Sequence, residues 1–301
     1  MPLHVPVLVD VVADLAAGAR RAVDATVGGG GHAARLRALG ATVFAIDRDP
    51  AALAAARGTL GPEGFLWREG AFGDPAVLEA IARFRPDLAL LDLGLSSDQL
   101  DDAARGFSFR PGAPLDMRMT PHGPTAADLL NRATAEELST IFRDYGDERH
   151  ARRLARSVVR RRTRHPFATS DDLVAAVRET LGSRSGAADF ARLFQAVRIA
   201  VNDELEQLRL ALPALRDALV PGGRLLVISY HSGEDRIVKH AFREWARACV
   251  CPPGMPVCRC RGRALGTLDP RRAVAPSPEE AVANRRARSA RLRGFRIADG
   301  A

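Results

Sequence analysis

The chain has 301 residues, 47% of them hydrophobic, which is enough for one large core or two smaller ones and excludes a disordered chain. Its 44 basic and 36 acidic residues leave a net charge of +8, and Lys239 is the single lysine. This charge favours a polyanionic partner, although GC-rich coding gives the same arginine excess. No apolar run reaches the ~20 residues of a membrane span and no secretory leader is visible, so we expect a cytoplasmic protein without membrane contact.

Short apolar runs alternate with helix-period stretches over the first hundred residues. The runs are RAVDATV, ATVFAID, GFLWREG and PDLALLDLG. The stretches between them, at about 32–39, 50–60 and 74–84, have helical spacing. This alternation is typical of a parallel sheet covered by helices. We therefore predict an α/β fold with a Rossmann-like doubly wound sheet.

The alternation stops near residue 105, where a segment rich in glycine and proline begins. Residues 126–212 have helical periodicity and no strand pattern, and a strand followed by a helix returns at Gly222–Ser229. The economical interpretation is an inserted all-helical domain within a discontinuous sheet domain. The predicted limits are 106–212 for the insert, with 1–105 and 213–301 for the sheet domain.

Residues 250–301 are rich in cysteine, proline and arginine and show little periodicity. We expect an extended tail that packs on the sheet domain or is partly disordered.

Four glycines, Gly28 to Gly31, follow the first predicted strand and precede a helix. Such a loop lets a nucleotide-like ligand approach the backbone closely. The dinucleotide pattern G-x-G-x-x-G fails at Ala33, which disfavours a nicotinamide cofactor. Asp47 ends the second strand, where a carboxylate can accept both ribose hydroxyls of an adenosine. The alternatives are a tight turn without ligand for the glycines and a helix cap for Asp47.

The glycine loop, Asp47 and an acid at the end of the fourth strand, Asp92, together resemble a class I S-adenosylmethionine methyltransferase. A longer set of motifs is similar to the bacterial 16S ribosomal RNA cytosine-N4 methyltransferase family, RsmH or MraW. These motifs span nearly the whole chain: HVPVL, DATVGGGGH, LDLGLSSDQLDD, RGFSFR, PLDMRM, YGDERHARRLAR, FQAVRIAVNDEL, ISYHSGEDRIVK and NRRARS.

The resemblance implies S-adenosylmethionine as cofactor and 16S ribosomal RNA or the small ribosomal subunit as partner. It also implies the residues that touch the cofactor: Gly30, Gly31, His32, Asp47, Phe72, Asp92 and Gln99. Plain core packing is the alternative for Phe72. The chain departs from the family where Tyr230 replaces the usual phenylalanine and Gly233 the usual leucine, and residues 188–193 lack the usual Pro-Ala-Thr-Arg-Thr.

Methylation of a cytosine amine requires alignment with the methyl group and removal of an N4 proton, because the amine lone pair is delocalised into the ring. The candidate catalytic residues are Asp92, Asp116 and His231, since two of them end strands and Asp116 follows in a glycine- and proline-rich loop. Asp92 is favoured for positioning, and the base stays open. The alternatives are a structural role for His231 and an ion pair of Asp116 with Arg118 or Arg110.

Arginines crowd the stretch from 149 to 164, where acidic partners at i±4 are nearly absent, and again from 285 to 296. We predict that the first group binds phosphates and that the insert forms one wall of an RNA cleft; a solvated helix face is the alternative. The predicted RNA-binding residues are Arg149, Arg152, Arg153, Arg156 and Arg160. A homodimer is also compatible with the sequence.

Four cysteines lie within twelve positions: Cys249, Cys251, Cys258 and Cys260. Their number fits a tetrahedral structural zinc, although C-x-C pairs are less diagnostic than C-x-x-C pairs. Thiols without metal and a disulfide are the alternatives.

Three functions are compatible with these patterns. The first is methyl transfer from S-adenosylmethionine to N4 of a 16S cytosine, and the others are a methyltransferase or other nucleotide-cofactor enzyme for a different substrate and a non-catalytic RNA-binding assembly factor. A small-molecule enzyme does not need the basic insert, and a pure binder does not need the glycine loop with its two aspartates.

Overall fold

The computed structural model describes residues 6–96, 99–100, 102–252, 254–255, 257 and 259–299. The chain forms two compact units. We call Met1–Gly94 with Leu205–Ala301 the sheet unit, and Leu95–Glu204 the helical unit. Among the described residues, no helix is both long and apolar enough to cross a membrane.

The sheet unit contains a seven-stranded sheet in the order β3-β2-β1-β4-β5-β7-β6. The strands are β1 (Arg21–Asp24), β2 (Thr42–Asp47), β3 (Phe65–Glu69), β4 (Leu88–Asp92), β5 (Arg224–Ser229), β6 (Gly266–Leu268) and β7 (Arg291–Ile297). Strands β1 to β5 are parallel, whereas β7 is antiparallel to both of its neighbours. The predicted α/β sheet is confirmed. Its order reverses between β1 and β4, which is where open α/β sheets bind ligands.

Helices connect these strands and build the second unit. They are α1 (Val9–Leu15), α2 (Gly31–Ala38), α3 (Pro50–Leu60), α4 (Pro75–Phe84), α5 (Ala126–Arg132), α6 (Ala135–Thr140), α7 (Ala151–Arg162), α8 (Ser170–Leu181), α9 (Ala187–Asn202), α10 (Glu204–Ala218), α11 (Ser232–Trp245) and α12 (Pro278–Ala283). The predicted helices at 32–39, 50–60 and 74–84 correspond to α2, α3 and α4.

Both faces of the central strands are buried, which explains why the runs are apolar throughout. In β4, Leu88 and Leu90 belong to one apolar cluster, and Ala89 and Leu91 belong to the cluster on the opposite face. A parallel strand with helices on both sides has no solvent-facing positions to alternate with.

The tail is more ordered than its sequence predicts. Strand β7 pairs with β5, with Leu292 opposite Ile228, and β6 completes the edge of the sheet. Leu292 and Phe295 are fully buried, but arginines interrupt the alternation and conceal it. Arg293 reaches Asp235 of α11 through two hydrogen bonds of 2.7 and 3.0 Å. Residues 266–297 therefore pack on the sheet domain, as one of the two predicted alternatives has it, and the alternative of partial disorder is wrong for them.

The helical unit has its own apolar core, which includes Leu115, Phe142, Leu154, Val177 and Leu193. Helices α5 and α6 of this unit begin with side-chain caps that the sequence encodes. Thr125 caps α5 with Asp128, and Thr134 caps α6 with Glu137, each in a reciprocal capping box. The buried amide of Asn202 also ties the end of α9 to the loop before α5, since it bonds Met117 and Met119 backbone atoms.

Candidate active site

Three neighbouring strands end in an aspartate. Asp24 is the last residue of β1, Asp47 of β2 and Asp92 of β4. Because these strands are parallel and adjacent, the three carboxylates lie along one edge of the sheet, at the switch in strand order between β1 and β4. This edge is the candidate site.

Two positions of the glycine loop, Gly30 and Gly31, have no free space for a side chain. Gly30 has a left-handed φ of 84°, and a Cβ on it would lie 2.8 Å from Leu60 Cδ1. A Cβ on Gly31 would lie 2.9 Å from Pro6 Cγ. These two glycines are therefore required by the fold itself, and they leave the backbone of the loop bare above β1.

Asp47 holds the loop through its carboxylate. Oδ2 accepts a hydrogen bond of 2.8 Å from the Gly28 amide, and Oδ1 accepts one of 2.9 Å from the Asp49 amide. Burial raises the pKa of Asp47, and these two amides oppose that rise. The cap of α3 is Asp49, which accepts a bond of 3.0 Å from Ala51. The interpretation of Asp47 as that cap is therefore wrong.

Asp92 is the centre of a polar cluster. Its Oδ1 accepts a hydrogen bond of 2.8 Å from the Tyr230 hydroxyl, and its Oδ2 lies 3.5 Å from His32 Nε2. Its backbone amide donates a bond of 2.7 Å to Thr26 Oγ1, which ties β4 to the segment after β1. About a fifth of the Asp92 side chain is exposed, so the carboxylate is both oriented and accessible.

His32 and Asp24 lie below Asp92 and are buried. Burial alone would lower the pKa of His32, but the Asp92 carboxylate 3.5 Å from its Nε2 and the charge of Asp24 raise it. Burial raises the pKa of Asp24 from 3.8 to about 7, against the opposing charge of His32. Asp24 Oδ2 is buried without a hydrogen-bond partner among the described residues. The site therefore holds a proton near neutral pH and an unsatisfied acceptor.

These shifts predict that the unliganded protein loses stability as the pH rises. Between the ordinary pKa of an aspartate and about 7, the folded chain keeps a proton on Asp24 that the unfolded chain has released. The raised pKa of His32 acts in the same direction. We expect the free energy of unfolding to fall by on the order of 2–4 kcal/mol between about pH 5 and pH 8.

Urea unfolding at those two pH values tests this expectation. Asp24→Asn removes the titration and should flatten the pH dependence, whereas Asp14→Asn, at an exposed position of α1, should leave it unchanged. An Asp24→Asn variant that loses as much stability as the wild type would contradict the assignment.

Phe72 and Gln99, the other two predicted cofactor residues, lie in different units of the chain. Phe72 follows β3, is partly buried and packs against an apolar cluster of the sheet unit. Gln99 belongs to the helical unit, where it is largely buried and its Oε1 accepts a hydrogen bond of 3.1 Å from the Ser96 amide. Packing alone accounts for the observed contacts of Phe72.

The other two catalytic candidates have structural partners. His231 caps α11: its Nδ1 accepts a hydrogen bond of 3.2 Å from Gly233, and its Nε2 lies 3.1 Å from Glu234 Oε1. In the helical unit, Arg118 donates to both carboxylate oxygens of Asp116, at 2.8 and 2.7 Å, and this pairing lowers the pKa of Asp116. A carboxylate with a lowered pKa is a weaker proton acceptor.

The predicted RNA-binding arginines lie on and beside α7. The helix buries Leu154, Ala155 and Val158, and its opposite face carries the arginines. Arg149, Arg152, Arg153, Arg156 and Arg160 are all exposed. Arg160 and Arg161 pair with Glu179 of α8, whereas the described part of the chain offers no ion pair to the other four. Those four leave a face of uncompensated positive charge.

Sequence reasoning did not single out Asp24, Thr26 or Glu234. Glu234 is buried and accepts a hydrogen bond of 2.8 Å from the Tyr230 amide, which holds the backbone beside Asp92. A signal for Asp24 was present, because it ends an apolar strand as Asp47 and Asp92 do. The pairing of Thr26 with β4 has no comparable sequence signal.

The strand order, the bare glycine loop and the aspartates at the switch define a class I S-adenosylmethionine-dependent methyltransferase. More narrowly, the chain belongs to the MraW methylase family, whose family model matches residues 1–298. The family resemblance seen in the sequence is confirmed.

Individual relatives align over nearly the full chain. A "Ribosomal RNA small subunit methyltransferase H" of Gemmatimonas aurantiaca is 56% identical, covering 98% of this chain and 95% of that protein. The protein of the same name from Heliobacterium modesticaldum is 46% identical, with 96% and 97% covered. The solved structure of an rRNA methylase from Streptococcus thermophilus covers 97% of this chain and 94% of its own at 12% identity, with a TM-score of 0.42.

Proposed function

We propose that this protein transfers a methyl group from S-adenosylmethionine to the N4 amine of a cytosine in 16S ribosomal RNA, in the cytoplasm. The observation that carries the proposal is the oriented, accessible Asp92 carboxylate at the sheet switch of a chain in this family. The relatives named as ribosomal RNA small subunit methyltransferases support the choice of substrate. The homodimer expected from the sequence stays a prediction.

The residues present fit the cofactor. Asp47 would hold the ribose, the side-chain-free backbone at Gly30 and Gly31 would face its methionine half, and Phe72 would offer an apolar surface to adenine. The buried Asp24 Oδ2, which has no hydrogen-bond partner among the described residues, is a further polar atom at the same strand ends. Gln99 is retained as a proposed contact. When bound, S-adenosylmethionine supplies an electrophilic methyl group on a sulfonium.

Asp92 has the properties that the amine acceptor requires. The Tyr230 hydroxyl contacts Oδ1 of Asp92 and the His32 ring lies beside Oδ2. These two contacts fix the orientation of the carboxylate and of its solvent-exposed part. A carboxylate that accepts an N4 hydrogen would orient the amine and favour localisation of its lone pair as the new bond forms. Asp116 is a weaker candidate for this role because Arg118 donates to both of its carboxylate oxygens and lowers its pKa. His231 is a weaker candidate because its Nδ1 accepts the Gly233 amide that it caps at the start of α11.

The basic face of α7 would hold the substrate RNA. Only 5% of the residues are aromatic, which is too few for a broad surface on which RNA bases stack. We therefore expect contacts with RNA phosphates to dominate binding. A cytosine inside a duplex cannot present its amine to a buried methyl group, so the target base must be unpaired or extruded. The helical unit would then act as the RNA wall expected from the sequence.

Substitution of Asp92 tests the assignment. Asp92→Ala should lower kcat for RNA methylation by on the order of 100-fold or more, because it removes both orientation and proton acceptance, while the RNA dissociation constant stays within about twofold. Tyr230→Phe keeps the carboxylate and should retain most of the activity. A single-turnover assay with saturating cofactor measures the first effect, and filter binding measures the second. Normal turnover of Asp92→Ala would exclude Asp92 from the reaction.

A further inference from the structure

We infer that Cys249, Cys251 and Cys260 form a zinc site that closes the loop between α11 and β6. Their Sγ atoms all lie within 4.8 Å of one another. Sulfurs bound at ~2.3 Å to one tetrahedral zinc are ~3.8 Å apart, so the observed cluster needs only a small contraction to enclose the ion. A set of three thiolates selects a soft or borderline cation and disfavours magnesium and calcium, which prefer oxygen ligands.

The described residues of this loop bury little apolar surface of their own. It runs from the end of α11 at Trp245 to the start of β6 at Gly266. Leu265, at the end of the loop, packs against the sheet core, but Val250, Met255 and Val257 are exposed by 37%, 43% and 64%. Segments that bury so little apolar surface commonly depend on a metal or a disulfide for their fold.

Hydrogen bonds already bring the two arms of the loop together. The Val250 amide lies 3.3 Å from Cys260 Sγ and donates to it, which stabilises negative charge on that sulfur. Arg261, the next residue, donates to Glu244 Oε1 at 2.7 Å and to the Arg247 carbonyl at 3.0 Å, at the end of α11. Cys249 and Cys251 on one arm therefore face Cys260 on the other because both arms are anchored to the same helix end.

The base of the loop connects this site to the sheet. The Leu265 amide donates to the Trp245 carbonyl at 2.9 Å, and β6 then pairs with β7, which pairs with β5. The ion would thus stabilise the outer strand β6 and leave the cofactor site at the ends of β1, β2 and β4 unchanged. Cys258, the fourth cysteine in the sequence, lies outside the described residues and is not needed for the argument.

Metal content of the full, untagged chain tests the inference without reference to methyl transfer. Protein purified under reducing conditions, loaded with zinc and desalted should retain about one zinc per chain. The triple variant Cys249→Ser, Cys251→Ser, Cys260→Ser should retain none. Val257→Ser, a change in the same loop that keeps every thiol, should retain zinc like the wild type.

Two further measurements do not depend on the folding of a variant. Replacement of zinc by cobalt in the wild type should produce the intense absorption of tetrahedral cobalt–thiolate coordination. Removal of zinc with a chelator should speed tryptic cleavage after Arg259, Arg261 or Arg263 at least tenfold, with S-adenosylmethionine affinity unchanged. Wild-type protein that retains no zinc, cobalt bands of octahedral oxygen coordination, or disulfide-bonded cysteines after purification under reductant would overturn the inference.

Discussion

Asp47→Ala should weaken S-adenosylmethionine binding by about tenfold or more, as measured by calorimetry. A carboxylate that accepts both ribose hydroxyls makes two charge-assisted hydrogen bonds, each worth about 1.5–3 kcal/mol, and about 1.4 kcal/mol corresponds to a factor of ten. The same change also releases the Gly28 amide, which donates to Asp47 at 2.8 Å, and so loosens the glycine loop. Both effects act in the direction of weaker binding.

A cofactor analogue without the two ribose hydroxyls separates the effects. If Asp47 binds the ribose, the wild type and Asp47→Ala should differ much less for the analogue than for the cofactor itself. Asp14→Ala, at an exposed position of α1, is the matched control and should bind the cofactor normally. Unchanged affinity in Asp47→Ala would remove Asp47 from the site.

Replacement of Arg149, Arg152, Arg153 and Arg156 by alanine should weaken RNA binding by on the order of 100-fold at physiological salt. Each phosphate contact contributes about 0.7 to 0.9 to the slope of log affinity against log salt, so four lost contacts should reduce the slope by about 3. Arg160 is left in place because it already pairs with Glu179. Cofactor affinity should not change.

If the arginine face of α7 binds the RNA, a lower net charge elsewhere on the protein should not weaken RNA binding to the same extent. A control variant removes four exposed arginines of the sheet unit and has the same net charge: Arg20, Arg57, Arg83 and Arg209. Its salt slope should stay much closer to that of the wild type. Equal losses of RNA affinity in the two variants would show that RNA is attracted only by the overall charge. Normal methylation by the α7 variant at physiological salt would mean that these arginines form a solvated helix face and do not bind RNA.

The sheet and much of the cofactor site could be predicted because buried strands and tight turns have recognisable patterns in the local sequence. Apolar runs such as PDLALLDLG identify strands covered on both faces, and an aspartate at the end of such a run, as at Asp47 and Asp92, reaches the ligand edge of any parallel sheet. Glycines after the first strand similarly predict the bare loop. These features depend on neighbours within a few residues.

Features that depend on distant partners could not be predicted in the same way. Strand β7 is hidden by Arg291, Arg293 and Arg296, and only its pairing with β5 makes it part of the sheet. The bidentate contact of Asp116 with Arg118 was one of two ion pairs compatible with the sequence. The contact of Tyr230 with Asp92 joins residues 138 positions apart, and no local pattern specifies it.

Mapping of the methylated nucleoside tests the central claim most directly. The full chain is incubated with methyl-labelled S-adenosylmethionine and unmodified 16S ribosomal RNA, free or in small subunits, and the RNA is digested and sequenced. The proposed function predicts label on the exocyclic amine of one cytosine, as N4-methylcytidine, and its loss with Asp92→Ala. Label on a ring carbon, a ribose hydroxyl or another base, or no label in RNA from a protein that binds the cofactor, would contradict it.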